Sequence, residues 1–306
     1  MMNTSQGRTS IGSRLKLWVA ATRPFSFPCS MVPVVIATAA AAPIGRWRWD
    51  VLAVTLAAVL CLHVAANLLN DYFDYVSGVD RRMEQDGDRP GRMLVTGAVT
   101  PRGFVRGAAL AVGAATLMGV YLTWRAGWLV PVFGVFAFTG LYYYTAPPLK
   151  LKARGLGEVM MVIWFGPALV AGVAYVQTGG FPLPLMLMSV PIGFLTTAIL
   201  VSNNLRDLEE DAAGGVRTLA QRIGPRAAAW LYVFLVVGAP AGITLVGLAY
   251  GVPLLALTLL SLLAVIGPIR AVTGGQRLPD IDARTARLPI MVGIIATSVL
   301  IGTGGI

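Results

Sequence analysis

The sequence predicts an all-α membrane protein whose helices cross the bilayer nine times around a central cavity. Hydrophobic residues make up 56% of the 306 residues and charged residues only 12%, whereas a soluble domain carries about 25% charged residues. So little polar surface does not cover a water-soluble globule of this size, and most of the chain therefore faces lipid. The net charge of +10 fits basic cytoplasmic loops better than it fits a nucleic-acid-binding protein.

Nine apolar segments are long enough to cross a membrane, because a spanning helix needs about 20 mostly apolar residues. They are residues 25–43, 51–73, 104–123, 127–145, 157–177, 182–203, 227–249, 252–270 and 286–305. No soluble domain is expected between them, so residues 1–306 are predicted to form one membrane domain. Residues 1–22 are its cytoplasmic N-terminal segment, in which Ile11–Ala21 is expected to form a short helix on the membrane surface.

The charged residues fall on one side of the predicted helices. With nine spans, 21 of the 24 Lys and Arg residues lie on the side of the N-terminus, and so do all Asp and Glu residues except Asp50. Basic residues are retained in the cytoplasm, so the N-terminus is predicted inside the cell and the C-terminus outside. Acids contribute little to the orientation of membrane proteins. Their clustering on this side therefore indicates a site that uses carboxylates and opens to the cytoplasmic side of the cell inner membrane.

The first acidic segment, residues 67–80, follows the second apolar run. At 3.6 residues per turn, four polar side chains share a face about 100° wide. They are Asn67, Asn70, Asp71 and Asp74. Such side chains are costly to desolvate at a membrane boundary unless they are paired, and magnesium binds carboxylates together with phosphate oxygens. We interpret the segment as a magnesium site; the alternative is a solvated helix end.

The second acidic segment, residues 203–211, follows a later apolar run in the same way. Asp207 and Asp211 are four residues apart, and Asn203 precedes them by one turn. Like charges at this spacing destabilise a bare helix, whereas a shared cation stabilises it. The alternative is a surface helix in which Arg206 forms a local salt bridge.

A third cytoplasmic stretch, residues 142–158, supplies cations after Pro147-Pro148, which is expected to end a helix. Together with basic residues of two other loops, the candidate diphosphate-binding residues are Arg92, Lys150, Lys152, Arg154 and Arg217. Cations beside metal-binding acids fit an anion that the metal bridges; for each residue, the alternative is the usual excess of basic residues in cytoplasmic loops. Because apolar helices adjoin this site, we expect a polyprenyl diphosphate as the ligand and the lipid bilayer as the surroundings.

At these residues the sequence resembles the UbiA superfamily of intramembrane aromatic prenyltransferases. The resemblance covers nearly the whole chain and includes Arg23-Pro24, Asn67-x-x-Asn-Asp-x-x-Asp74, Arg92-x-Leu-x-x-Gly97 and Asp207-x-x-x-Asp211. Within the superfamily, residues 70–80, 165–179 and 203–220 most resemble the 1,4-dihydroxy-2-naphthoate polyprenyltransferases of menaquinone biosynthesis. Val216 departs from that pattern, which often has Lys at this position.

The resemblance implies a magnesium-dependent transferase. It would move a polyprenyl group from polyprenyl diphosphate to 1,4-dihydroxy-2-naphthoate, releasing CO2 and diphosphate and giving demethylmenaquinol. The implied catalytic residues are Asp71, Asp74, Asp207 and Asp211. The implied magnesium ligands are Asn67, Asp71, Asp74, Asn203, Asp207 and Asp211.

Four further residues are expected near the prenyl or aromatic group: Arg23, His63, Tyr142 and Tyr144. The tyrosine rings suit either the shielding of a carbocation or an aromatic belt at the membrane interface. His63 is expected to be a packed polar residue rather than a base.

Two alternative functions stay open at this point. Another acceptor, such as 4-hydroxybenzoate or homogentisate, is compatible with the same motifs. An ion-coupled secondary transporter also uses intramembrane acids, but it usually places them near the bilayer midplane rather than at the cytoplasmic ends of helices.

Overall fold

The computed structural model describes residues 11–42, 48–78, 92–213 and 215–306, and all regular secondary structure in these ranges is helical. The long helices are α1 (Ile11–Ala21), α2 (Pro28–Ala41), α3 (Trp49–Val76), α4 (Pro101–Ala126), α5 (Leu129–Tyr143), α6 (Gly157–Thr178), α7 (Leu183–Arg206), α8 (Pro225–Ala249), α9 (Pro253–Thr273) and α10 (Ile281–Thr303). The short helices are Pro24–Ser26, Arg92–Val95, Lys152–Arg154, Leu208–Ala213 and Leu219–Ile223.

Two of the long helices are not regular α-helices throughout. Helix α6 contains a π-helical segment, Trp164–Ala168, which includes Pro167, a residue without an N–H group to donate to the preceding turn. Helix α9 starts as a 3-10 helix, Pro253–Val265, and continues as an α-helix from Ile266.

A helix is present at each of the nine predicted positions, but not all nine are long enough to span a membrane. In the described part of the chain, seven helices are long and apolar enough, and an eighth is obtained if Leu15–Ser26 and Pro28–Ala41, which are bent by 50°, count as one span. Helix α5 has 15 residues, or about 22 Å at 1.5 Å per residue, which is shorter than a hydrocarbon core of about 30 Å.

The outer faces of the helices are apolar. On α4, Leu110 and Leu117 are 76% and 74% exposed, and Val120 is exposed beside them. A water-soluble protein rarely exposes so continuous an apolar surface, so the chain is a multi-pass membrane protein.

Successive helices pack side by side, and α10 contacts both α2 and α9, so that the bundle closes on itself. The largest buried cluster joins α2, α6, α7, α8, α9 and α10. A second cluster joins the end of α1 to α3 and α4 through Ala21, Leu68 and Phe104. This second cluster lies next to the end of α3, where Gly78, at φ +75°, follows the helix.

Helices α6 and α7 approach each other closely at two glycines. A Cβ atom on Gly193 would lie 2.6 Å from the Val162 carbonyl oxygen and 3.1 Å from the Gly166 Cα atom. Both neighbours are backbone atoms, which cannot move aside without separating the helices. The sequence therefore needs glycine at this crossing, as membrane helix pairs often do.

Gly193→Ala is expected to destabilise the protein by about 1–3 kcal/mol, because the added methyl group has no space between the two backbones. The measurement is the melting temperature of the detergent-purified protein. Gly113→Ala is the matched control, since no atom lies within 4 Å of a Cβ at that position of α4; equal melting temperatures for the two variants would contradict the prediction.

Candidate active site

The two acidic segments lie at the ends of α3 and α7. Asp71 is 2% exposed in the last turns of α3, and Asp211 is 6% exposed in the short helix Leu208–Ala213 that follows α7. Asp80 lies outside the described residues. Burial of two carboxylates in so apolar a protein requires compensating groups.

The first segment is compensated by the turn between α1 and α2. The Asn67 Nδ2 group donates to the Thr22 carbonyl oxygen (2.9 Å) and to Ser26 Oγ (3.3 Å). Asp71 Oδ1 accepts a hydrogen bond from the Arg23 guanidinium and forms an ion pair with it. Asp71 Oδ2 is buried and has no hydrogen-bond partner among the described residues.

The basic stretch after α5 reaches the same segment. Lys152 Nζ lies 2.9 Å from Asp74 Oδ2, and Thr145 Oγ1 donates to Asn70 Oδ1 at 2.9 Å. Burial lowers the pKa of Lys152, but the neighbouring Asp74, Tyr144 and Asp211 outweigh this effect and raise the pKa above its usual range. Lys152 is therefore a permanently charged cation between acids.

The second segment bends at Asp207, where α7 ends. Arg206 donates to both carboxylate oxygens of Asp207, from Nε (2.7 Å) and from Nη2 (2.9 Å). The Asp211 N–H group still donates to the Asp207 carbonyl oxygen at 2.8 Å, so the two acids remain one turn apart, as their spacing predicts.

Electrostatics connect the two segments. The pKa of Asp211 is raised to about 6: burial is the main cause, Lys152 opposes it, and the charges of Asp207 and Asp74 add to it. Asp74 belongs to the first segment and Asp211 to the second, so both segments act on one small region around Lys152. A divalent cation and an anionic ligand suit this alternation of acidic and basic groups.

Each acidic segment contains a buried side-chain oxygen that is available as a metal ligand or hydrogen-bond acceptor. Asn203 Oδ1, like Asp71 Oδ2, is buried without a hydrogen-bond partner among the described residues. No three His, Cys, Asp or Glu side chains in the described ranges are close enough to hold a metal by themselves. Magnesium usually completes its shell with water and substrate phosphates, so these residues fit a magnesium ion that is shared with a phosphate ligand.

The other predicted cations lie differently. Lys150, Arg154 and Arg217 are exposed, and Arg154 donates to the Pro148 carbonyl oxygen at 3.1 Å. The side chain of Arg92 lies outside the described residues. Among the described side chains of the predicted diphosphate-binding residues, that of Lys152 forms an ion pair, with Asp74.

The predicted aromatic residues and the histidine have separate surroundings. The Tyr142 ring lies edge-on to Phe73, with 5.6 Å between ring centroids. Burial raises the pKa of Tyr144, whose neighbours include Lys152. His63 is held through both ring nitrogens, by Ser26 Oγ at 2.8 Å and Ser30 Oγ at 2.9 Å.

The sequence reasoning missed a buried carboxylate, Glu158, at the start of α6. Its Oε1 atom accepts from Asn204 Nδ2 at 2.7 Å, and its carboxylate also accepts from the Leu219 N–H group. It thereby joins α6 to the end of α7 and to the helix that follows the second acidic segment. A signal was present, because Glu158 opens an otherwise apolar span, where an acid usually has a specific partner.

Comparison with known proteins gives one family. The model of the family described as "UbiA prenyltransferase family" matches residues 30–298. The 1,4-dihydroxy-2-naphthoate octaprenyltransferase of Mycobacterium tuberculosis is 31% identical over 92% of this chain and 95% of its own length. UbiA prenyltransferase domain-containing protein 1 of Xenopus tropicalis is 32% identical over 95% of this chain and 83% of its own.

The fold also matches a solved structure. A UbiA homologue from Archaeoglobus fulgidus bound to GPP and Mg2+ superimposes with a TM-score of 0.65 and covers 93% of this chain and 99% of that chain. The sequence identity is 16%, so the similarity concerns the fold.

Divalent-cation binding is expected to weaken as the pH falls. Asp211, with a pKa of about 6, is ionised above that pH and protonated below it, and a bound proton competes with a metal. We expect the Mn2+ affinity to be nearly constant from about pH 8 to about pH 7 and to fall by up to about tenfold per pH unit below about pH 6. Isothermal titration calorimetry at each pH measures the Mn2+ affinity. An affinity that stays constant down to about pH 5 would contradict a role of Asp211 in binding the metal.

Glu158→Ala is expected to lower the unfolding free energy by about 2–3 kcal/mol, because buried donors on Asn204 and Leu219 lose their acceptor. Thermal melting in detergent provides the test. Glu209→Ala is the control, since the Glu209 side chain is 77% exposed; a similar melting temperature for both variants would refute the role assigned to Glu158.

Proposed function

The chain belongs to the UbiA prenyltransferase family, and from this premise we propose that it transfers a polyprenyl group from polyprenyl diphosphate to 1,4-dihydroxy-2-naphthoate in menaquinone biosynthesis. The observation that carries the proposal is the meeting of two acidic segments around Lys152, together with the buried oxygens Asp71 Oδ2 and Asn203 Oδ1, which have no described hydrogen-bond partner. The Mycobacterium tuberculosis relative, named for this acceptor, supports the choice of substrate.

The proposed magnesium ligands are the polar side chains of the two segments. They are Asn67, Asp71, Asp74, Asn203, Asp207 and Asp211. When bound, magnesium supplies a Lewis acid that stabilises negative charge on the leaving diphosphate. The GPP and Mg2+ in the Archaeoglobus fulgidus homologue support this assignment.

Basic side chains bind and orient the diphosphate in this proposal. They are Arg92, Lys150, Lys152, Arg154 and Arg217. Lys152 is already held at the acids by Asp74, so it needs little reorganisation to donate to a phosphate oxygen. Arg23, which pairs with Asp71, is a further candidate donor at the same place.

The reaction breaks the bond between the allylic carbon and the diphosphate oxygen, and the electron pair leaves with the diphosphate. The ring carbon that bears the carboxylate then attacks the allylic carbon, and CO2 departs, leaving its bonding electrons in the ring. Apolar helices exclude water, which would otherwise capture the allylic cation. Tyr142 and Tyr144 are proposed to present ring faces to that cation.

The proposal includes a topology of nine spans around a central cavity, with the N-terminus and the site on the cytoplasmic side. The distribution of 21 of 24 basic residues supports it. Two ion pairs also support it, since Arg23–Asp71 and Lys152–Asp74 join the N-terminal turn and the loop after α5 to the end of α3.

Purified protein with polyprenyl diphosphate, 1,4-dihydroxy-2-naphthoate and Mg2+ is expected to release one diphosphate and one CO2 per prenylated product, as measured by phosphate and labelled-carbon assays. 4-Hydroxybenzoate and homogentisate are the comparison acceptors. Turnover of one of these and not of the naphthoate would overturn the choice of acceptor while leaving prenyl transfer in place.

Asp71→Ala and Asp207→Ala are each expected to reduce this turnover by at least about 100-fold, because transition-state stabilisation worth several kcal/mol is lost with a metal ligand. Asp50→Ala is the matched control, since Asp50 lies at the opposite end of the same helix as Asp71 and pairs with Arg125. Full activity in either site variant would refute the metal site.

A further inference from the structure

Arg206, at the end of α7, is shared by two carboxylates from distant parts of the chain. Its Nε and Nη2 atoms donate to the two oxygens of Asp207. Its remaining nitrogen, Nη1, forms an ion pair with Asp282 Oδ2, in the first turn of α10. The three side chains are only 17–26% exposed, so solvent screens their interaction less than it screens a surface pair.

Asp282 lies in a turn whose neighbouring side chains are buried in the core. Its neighbour Ile281 is buried, and Thr285 in the same turn is fully buried. The Thr285 hydroxyl lies 2.8 Å from the Tyr232 hydroxyl of α8, which is also buried. These neighbours anchor the backbone that carries Asp282 to the core.

The hydrogen bonds of Arg206 oppose metal binding at Asp207. Both oxygens of Asp207 accept from the guanidinium, and a cation that binds this carboxylate must weaken at least one of these bonds. Asp282 offers the guanidinium a second acceptor of equal charge. Without Asp282, Asp207 would be the remaining described carboxylate partner of Arg206. Arg206 would then bind Asp207 more tightly.

We propose that Asp282 is a positioning residue that holds Arg206 so that Asp207 can accept a divalent cation. The inference rests on the proposed function, because it assumes a metal ion at the second acidic segment. It adds a residue that no motif marks, since Asp282 lies outside both acidic segments and its described side-chain contact is with Arg206.

The direct test is Mn2+ binding to the detergent-purified protein in the presence of inorganic diphosphate, measured by electron paramagnetic resonance. Asp282→Asn is expected to weaken Mn2+ binding about three- to tenfold, in line with a partly buried ion pair. Asp280→Asn is the matched control: this acid lies two residues away, is 54% exposed and pairs with Arg284 instead. Equal affinities for the two variants would overturn the inference.

A double-mutant cycle separates action through Arg206 from the general loss of a negative charge. Arg206→Gln is expected to tighten Mn2+ binding, since Asp207 loses its competing cation. In this background, Asp282→Asn is expected to have no further effect. If the substitution still weakens binding in the absence of Arg206, Asp282 acts through its own charge and the proposed mechanism is wrong.

Further outcomes distinguish a folding defect and a failure of the proposed metal site from a failure of this inference. If Asp282→Asn does not give folded protein, Arg206→Gln decides by itself: tighter Mn2+ binding supports the inference, and unchanged or weaker binding overturns it. If the unmodified protein binds no Mn2+ even when inorganic diphosphate is present, the proposed metal site fails and the inference with it. If the unmodified protein binds Mn2+ and Asp282→Asn binds it equally well, the inference alone fails.

Discussion

A carboxylate at the end of a membrane helix must be matched by a cation or by hydrogen-bond donors, because it loses hydration and has few polar neighbours. The site is arranged around this requirement. Arg23 compensates Asp71, Lys152 compensates Asp74, and Arg206 compensates Asp207. These cations neutralise the buried acids; in the proposed function, a bound diphosphate would exchange partners within this balanced set of charges.

The sequence predicted which polar side chains share a helical face better than it predicted their partners. Helical spacing placed Asn67 and Asp71 on one face, and both are buried there. Spacing does not reveal that Lys152, and not the neighbouring Lys150, turns towards Asp74, because that choice depends on the turn after α5. Helix positions were also predictable from apolar runs, but their lengths were not: α5 ends at Tyr143, although apolar residues continue beyond it.

The packing of α6 against α7 connects fold and site. Gly166 and Gly193 bring the two backbones together, and the two helices reach the site at Glu158 and Arg206. The hydrogen bond from Asn204 to Glu158 fixes the end of α7 at the point where the second acidic segment begins. A close crossing within the apolar bundle thus determines where polar groups stand at its end.

The order in which the ion-pair partners are synthesised has a consequence for membrane insertion. Arg23 precedes Asp71 in the chain, and Arg206 immediately precedes Asp207, so each of these acids emerges from the ribosome after its cation. Asp74 is synthesised before its partner Lys152, and Arg206 is synthesised before its partner Asp282 in α10. A chain stopped before α10 would therefore contain both acidic segments but would lack the carboxylate that shares Arg206, and the site reaches its full charge balance only when the last helix has entered the membrane.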